Sequence, residues 1–303
     1  MRRKIVKQGA ATLMISLPSK WAQKNKLKKG DEVEVEEKQD ELVINAKNST
    51  SEKKHIIIRI NDENRVDIKN ILTHAYRRGF DKIIIEGTDK ELLKEIRKIV
   101  NNLLLGFELI EKEPNKCAIE NISEPIEQKY EVMLKKVFMN IKETQDETIN
   151  AIKEGKFNLD EAKETKDLHD KFILFCRRLL SKQNGNNLEW ELLTFLMHIQ
   201  HVYYYLYEYA AHNKIKGTKN MIEMLEKTKD YFLLFEDAYY NQNIESVHKI
   251  NQLKKAYHFG KCIELIEKAK GKEAVVYCYI KESFRLIQIG MSPVLSKILD
   301  KTD

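Results

Sequence analysis

The sequence predicts a multi-domain α+β protein: a small N-terminal β module, a βαβαββ open-faced sandwich, and an all-α half of six helices in two three-helix repeats. Three observations carry that reading. Strand-length apolar runs separated by turn residues fill the first 46 positions and recur between 55 and 122. After Ser123 the strand signals stop, and long amphipathic segments alternate with short breakers at 155–158, 184–187, 214–218, 241–243 and 270–271. Cys176 and Cys262, like Gly185 and Gly271, stand 86 residues apart, and apolar positions such as Leu179 and Leu265 keep that offset. The domain bounds that follow are 1–47, 55–123 and 124–303, with the polar stretch 46–54 as a linker.

In the first domain Ile5 and Val6, then 13–17, then Val33 and Val35, then 42–44 read as four short strands. Leu17-Pro18-Ser19-Lys20-Trp21-Ala22 reads as one helical turn between the second and third, with Pro18 in its first turn, where a missing N–H costs nothing. Gly30-Asp31 marks a tight turn that favours a positive φ. So short a unit cannot bury enough apolar surface to stand alone, which calls for a second copy. Arg2, Arg3, Lys4, Lys7, Lys20, Lys24, Lys26, Lys28 and Lys29 all precede the first acidic residue, Asp31. A small, basic, strand-rich homodimer points to double-stranded DNA as its partner.

The run Lys4-Ile5-Val6-Lys7-Gln8-Gly9, then Thr12-Leu13-Met14-Ile15-Ser16-Leu17-Pro18, Trp21-Ala22 and Leu27-Lys28-Lys29-Gly30-Asp31-Glu32-Val33 resembles the SpoVT/AbrB superfamily over residues 2–46. That resemblance implies a swapped-hairpin module folded as an intertwined dimer on DNA. The expected DNA-facing residues are Arg2, Arg3, Lys4, Lys7, Gln8 and Thr12 on the first hairpin, supported by Lys20. Lysine and arginine would neutralise phosphates, while Gln8 and Thr12 offer donors and acceptors for base edges.

In the second domain 55–60 and 82–86 read as strands, with helical spacing between them through Ile68, Ile71, Leu72 and Ala75. Thr88 is placed to cap a second helix running to about Leu105, with Glu91 completing a capping box. Strands at 107–111 and 117–122 close the unit. It contains no phosphate-cradling glycine loop and is assigned no chemistry.

Six long helices in two triplets resemble the PhoU family of phosphate-uptake regulators. Together with the N-terminal module, the arrangement is similar to that of archaeal phosphate-uptake regulators. The resemblance implies a regulator of phosphate uptake or homeostasis that senses or docks through its helical half, with a phosphate-transport or signalling protein as partner. It also implies an acidic helix face that collects iron or zinc. Glu164, Asp167 and Asp170 lie on one broad face of the second long helix, opposite the stripe Ala162, Leu168, Phe172, Ile173, Cys176 and Leu179, with His169 at its edge. The second repeat departs from the pattern, holding Lys249, Gln252 and Lys255 or Ile250, Leu253 and Ala256 in the equivalent places. His198 and His201 are one further pair of candidate ligands, though histidines on so tyrosine-rich a helix (203–209) suit packing better.

Composition bounds the remaining classes. The chain has 303 residues, 53 Lys and Arg against 47 Asp and Glu, and 42% hydrophobic residues, which fits a globular protein and not a disordered one. It has no 18-residue apolar run and no apolar stretch after its basic start, so neither a membrane span nor a secretory signal is expected. Four cysteines without Cys-x-x-Cys spacing fit a reducing cytoplasm and no zinc framework. Glu245-x-x-His248 is a lone pair of the di-metal bundle type, and no nucleophile elbow, Walker loop or His-Glu-x-x-His occurs, so no catalysis is expected. The alternatives to a regulator are an adaptor that controls a phosphate transporter by protein contact without DNA, an antitoxin, and a metal-dependent bundle enzyme.

Overall fold

The computed structural model describes residues 2–9, 12–38, 41–46, 53–123, 129–183 and 185–300. Most of the expected linker, 47–52, together with Pro125 and Asn184, lies outside them. The chain divides into two compact units, Met1–Lys54 and His55–Asp303.

The first unit holds two antiparallel hairpins, β1 (Val6–Gln8) with β2 (Thr12–Met14) and β3 (Val33–Lys38) with β4 (Glu41–Ala46), and the short helix α1 (Ser19–Lys24) between them. Pro18 sits one place earlier than expected, as the cap residue with ψ 126°, and its carbonyl accepts from the Ala22 N–H at 2.9 Å. Gly30 takes φ +97°, and the Asp31 carboxylate accepts from the Lys28 N–H at 2.7 Å, which closes the turn into β3.

The second unit begins with β5 (His55–Arg59), α2 (Ile68–Arg77), β6 (Lys82–Glu86), α3 (Lys90–Leu103), β7 (Phe107–Glu113) and β8 (Lys116–Asn121). The sheet order is β5-β6-β8-β7: β5 and β6 run parallel, and β8 enters antiparallel between β6 and β7. Both helices lie on one face. Ile68, Leu72 and Tyr76 of α2 and Leu92, Ile96 and Val100 of α3 bury against Ile83, Ile85 and Ile119, while Ile57 and Ile110 on the other side of the sheet stay exposed. The cap of α3 is Asp89, not Thr88: its Oδ1 accepts from the Leu92 N–H at 2.8 Å. An aspartate carries its charge to the helix N-terminus, which a threonine cannot.

The helical part follows: α4 (Lys129–Glu154), α5 (Leu159–Lys182), α6 (Asn187–His212), α7 (Lys219–Tyr240), α8 (Ile244–Ala256), α9 (Cys262–Lys268), α10 (Lys272–Ile289) and α11 (Met291–Leu299). Side chains of Asn158, Asn186, Thr218 and Asn243 cap α5, α6, α7 and α8, so the polar breakers read in the sequence also start the helices. A π-helical turn, Tyr257–Lys261, joins α8 to α9. It explains the repeat spacing. The starts of α5 and α8 are 85 residues apart, whereas Cys176 and Cys262, beyond the turn, are 86 apart, because a π turn carries one more residue than an α turn. Phe138, Phe232, Phe235 and Tyr239 stack at the centre of the core, with ring centroids 5.6–6.0 Å apart. The short α11 is an element the sequence did not reveal.

No gap separates the sheet part from the helical part. α5 packs on α2 and α3, and Leu174 of α5 belongs to the core cluster of the sheet part. The pair α2 and α3 is thus covered by the sheet on one side and by α5 on the other.

Candidate nucleic-acid interface

Strand pairing decides where the basic hairpin points its side chains. In β1 and β2 the opposed residues are Val6 and Met14, Lys7 and Leu13, and Gln8 and Thr12. Directly opposed residues share a face and successive ones alternate, so Gln8 and Thr12 stand together, next to Val6 and Met14, while Lys7 and Leu13 leave by the opposite face. Gly9, at φ +73°, starts the turn beside them. Arg2, Arg3, Lys4, Lys7, Gln8, Thr12 and Lys20 are all exposed. The structure therefore gathers the two expected base-reading residues at the tip of the hairpin. It parts Lys7 from them, a consequence of the two-residue period that a one-dimensional cluster of charges conceals.

The charges divide between the hairpins. The first hairpin and α1 carry Lys7, Lys20 and Lys24, whereas the second hairpin carries Glu34 and Glu37. The stretch of this unit that carries basic and no acidic residues is its first 30 positions.

Apolar side chains in the same unit lack cover. Ala46 is the only buried residue among those described in Met1–Lys54. Ile5, Leu13 and Leu42 are each about two-thirds exposed, and Ile15 and Val35 about half. On the second hairpin the pairs Val33 with Ala46 and Val35 with Ile44 put four apolar residues on one face. Ala46 is already buried and Val33 and Ile44 are half-buried, while a valine or leucine such as Val35 or Leu42 would contribute roughly 1.5–3 kcal/mol if fully buried.

The acidic helix face is not built as expected. Asp170 is turned into the protein, where its carboxylate meets Lys166 Nζ and His201 Nε2, both at 2.7 Å. Burial alone would raise its pKa, but His201 and Lys166 outweigh that and hold it far below the usual carboxylate range. Glu164 is exposed, Asp167 is half-buried, and Leu168, expected in the apolar stripe, is exposed. His169 is not at the edge but fully buried, and burial pushes its pKa down to about 3. Glu164, Asp167 and Asp170 are thus not brought together. No group of three His, Cys, Asp or Glu among the described residues has metal-holding geometry. His201 is occupied by Asp170, and Glu245 and His248 are both exposed. Tyr203 and Tyr207 are buried while Tyr205 is exposed, so the tyrosine run mostly packs.

Sequence reasoning missed Arg177 and Arg178, two charged residues inside the apolar run Ile173–Leu180. Their signal was that setting: adjacent arginines on a buried face need partners. Both are buried, and Arg178 reaches Asp81 of the sheet part.

Residues 6–54 match the family described as antidote-toxin recognition MazE, bacterial antitoxin. No curated protein and no solved structure matches the chain. The N-terminal unit is a MazE/AbrB-type, antitoxin-like domain of the DNA-binding kind, followed by a large helical part.

Proposed function

We propose that the chain is a homodimeric DNA-binding regulator. Two N-terminal units complete each other's core and present the first hairpin, with Arg2, Arg3, Lys4, Lys7, Gln8 and Thr12, to duplex DNA. The observation that carries this reading is the pairing of exposed apolar strand residues with a first 30 residues that hold nine Lys and Arg and no Asp or Glu, in a segment of MazE type. Phosphate contacts supply affinity, and the Gln8–Thr12 pair supplies base preference.

The finer reading is a cytoplasmic, non-catalytic regulator of phosphate uptake, with 55–303 as the sensing or docking part. Its support is two helix triplets, α4, α5 and α6, then α7, the continuous α8–α9 joined by the π turn, and α10, whose second and third members start 85 residues apart. No helix among the described residues is long and apolar enough to cross a membrane, so contact with a transporter would be made from outside the bilayer. Genome-wide mapping of bound DNA at high and low phosphate tests target and signal together. Occupancy upstream of phosphate-transport genes that changes with phosphate is the expected result. Bound sites that ignore phosphate would leave a DNA-binding regulator of another signal.

A second reading has one observation in its favour, the antitoxin description of the matched family. In it the chain also neutralises a toxin. Co-purification of the product of an adjacent gene with the full chain, and relief of that product's growth arrest, would support it.

A further inference from the structure

We infer that a cleft at the junction of α2, α5 and α6 binds a small multivalent oxyanion of the phosphate or phosphate-ester class. The cleft measures about 250 Å³, below the span of drug-sized sites and suited to a small ligand. One face of α2 lines it with Lys69, Thr73, His74 and Arg77, and Arg177 of α5 lies opposite.

Positive charge without a carboxylate partner is the reason, the Trp190 ring lying 5.4 Å from the Arg177 guanidinium carbon being its nearest electrostatic compensation. Arg177 is 97% removed from solvent, because only 3% of its surface is exposed. Its Nη2 donates to Thr194 Oγ1 at 2.8 Å, its Nη1 meets only the Met197 sulfur at 4.0 Å, and its Nε has no acceptor. Arg77 Nη2 lies 2.8 Å from His74 Nε2, a neutral acceptor. Among the described residues none of Lys69, Arg77 and Arg177 has a carboxylate within ion-pair distance. The one acid in the cleft, Asp170, is taken by Lys166 and His201. Three cations against no free carboxylate, one of them buried, is a costly arrangement that an anion would relieve. Burial and the neighbouring Arg77 draw the Arg177 pKa down to about 10, and burial with both arginines lowers that of His74. The ring is nonetheless a donor once protonated, and an incoming dianion favours that form.

The donor set fixes the ligand class. Two guanidinium groups and an ammonium line the cleft, while the Thr73 hydroxyl already donates to the Asn70 carbonyl at 3.0 Å, and the fork of arginine matches a tetrahedral oxyanion through paired N–H groups. Leu103 and Leu174 form an apolar wall beside these donors, room for the carbon part of a phosphate ester. Since α2 belongs to the sheet part and α5 and α6 to the helical part, an anion held here would tie the two together.

The inference goes beyond the DNA reading and does not depend on it. The test is calorimetric titration of the full chain, without DNA and at constant ionic strength, with inorganic phosphate, glycerol 3-phosphate and acetate. Saturable binding of one or both phosphates with acetate silent is expected, and the better phosphate identifies free ion or ester as the source. Arg77→Gln and Lys69→Gln, neither of them fully buried, should each weaken it about tenfold or more, whereas Lys135→Gln, exposed on α4 and not part of the cleft lining, should not. No saturation by either phosphate up to about 10 mM, or unchanged binding in Arg77→Gln, overturns the proposal. So does a loss of duplex binding in Arg77→Gln with no small anion bound, which would give the cleft to nucleic-acid phosphate instead.

Discussion

Arg178 Nη2 donates to Asp81 Oδ1 at 2.6 Å, joining the second long helix to the end of the turn that precedes β6. Arg178 is 1% exposed, also donates to the carbonyls of Tyr76 and Phe80, and lies over the rings of Tyr76 and Phe107. Lys182 Nζ reaches the same Asp81 oxygen at 2.6 Å. Burial raises the Asp81 pKa, yet Lys182 and Arg178 together bring it below its ordinary value. The sheet part and the helical part therefore share one buried ionic joint.

A joint of this kind is costly to break from one side. Asp81→Leu alone should destabilise 55–303 by about 3–5 kcal/mol, since it strands the buried charge of Arg178, whereas Arg178→Met should cost less because Lys182 still pairs with Asp81. The double variant should lose less than the sum of the two, and urea unfolding of all three proteins measures the coupling. Additive losses would show that the two groups do not act as a pair.

Acid should weaken the fold in two steps. His169 is buried and neutral, with a pKa near 3, whereas the unfolded chain protonates it near 6.5, so stability falls as pH drops from about 6.5 toward 3. The expected loss is roughly 2 kcal/mol between pH 7 and pH 5. Asp170 adds stability that is present above the ordinary carboxylate pKa and is lost as pH falls through its depressed folded value, so it acts at lower pH. Thermal melts of His169→Gln should shrink the first step, to which His74, His198 and His258, also lowered by burial, still contribute, and keep the second. An unaltered slope between pH 7 and pH 5 would remove His169 from the account.

The bare strands of the N-terminal unit predict the oligomer. Val35→Asp or Leu42→Asp places a charge on the apolar face of the second hairpin, where a second copy should cover it, and either should convert the full chain to monomer in sedimentation runs. A dimer of wild-type mass in both variants would move the interface elsewhere.

Gln8 and Lys20 should differ in kind. Gln8→Ala should relax preference at one base pair by about 1–3 kcal/mol, while Lys20→Ala should weaken all sequences alike. Selection of bound sequences from a random pool reads both. An equal effect on every sequence would demote Gln8 to a phosphate contact.

Much of this molecule is legible along the chain because its elements are encoded locally. Alternation marked the hairpins, Gly30 marked its turn, and Asn158 and Asn243 marked helix starts. The order β-α-β-α-β-β was readable, but the insertion of β8 between β6 and β7 was not, because register is a property of pairs. Neither was the fate of charged side chains. Asp170 looks like a surface acid by helical periodicity, and it is largely withdrawn from solvent, with Lys166 and His201 meeting its carboxylate. Arg177 and Arg178 interrupt an apolar face for reasons that lie about 100 residues away, at Asp81, or in the cleft.

The central claim is that two copies of the basic hairpin unit close over their own apolar strands and hold duplex DNA by its phosphates. A salt titration of full-length protein against labelled duplex, with stoichiometry read by sedimentation, tests it most directly. Two chains per duplex are expected, with an affinity that falls steeply with salt and a slope about 2 units shallower in Arg3→Ala with Lys7→Ala. A monomer, or a dimer that leaves duplex DNA unbound at about 50 mM salt, would contradict it.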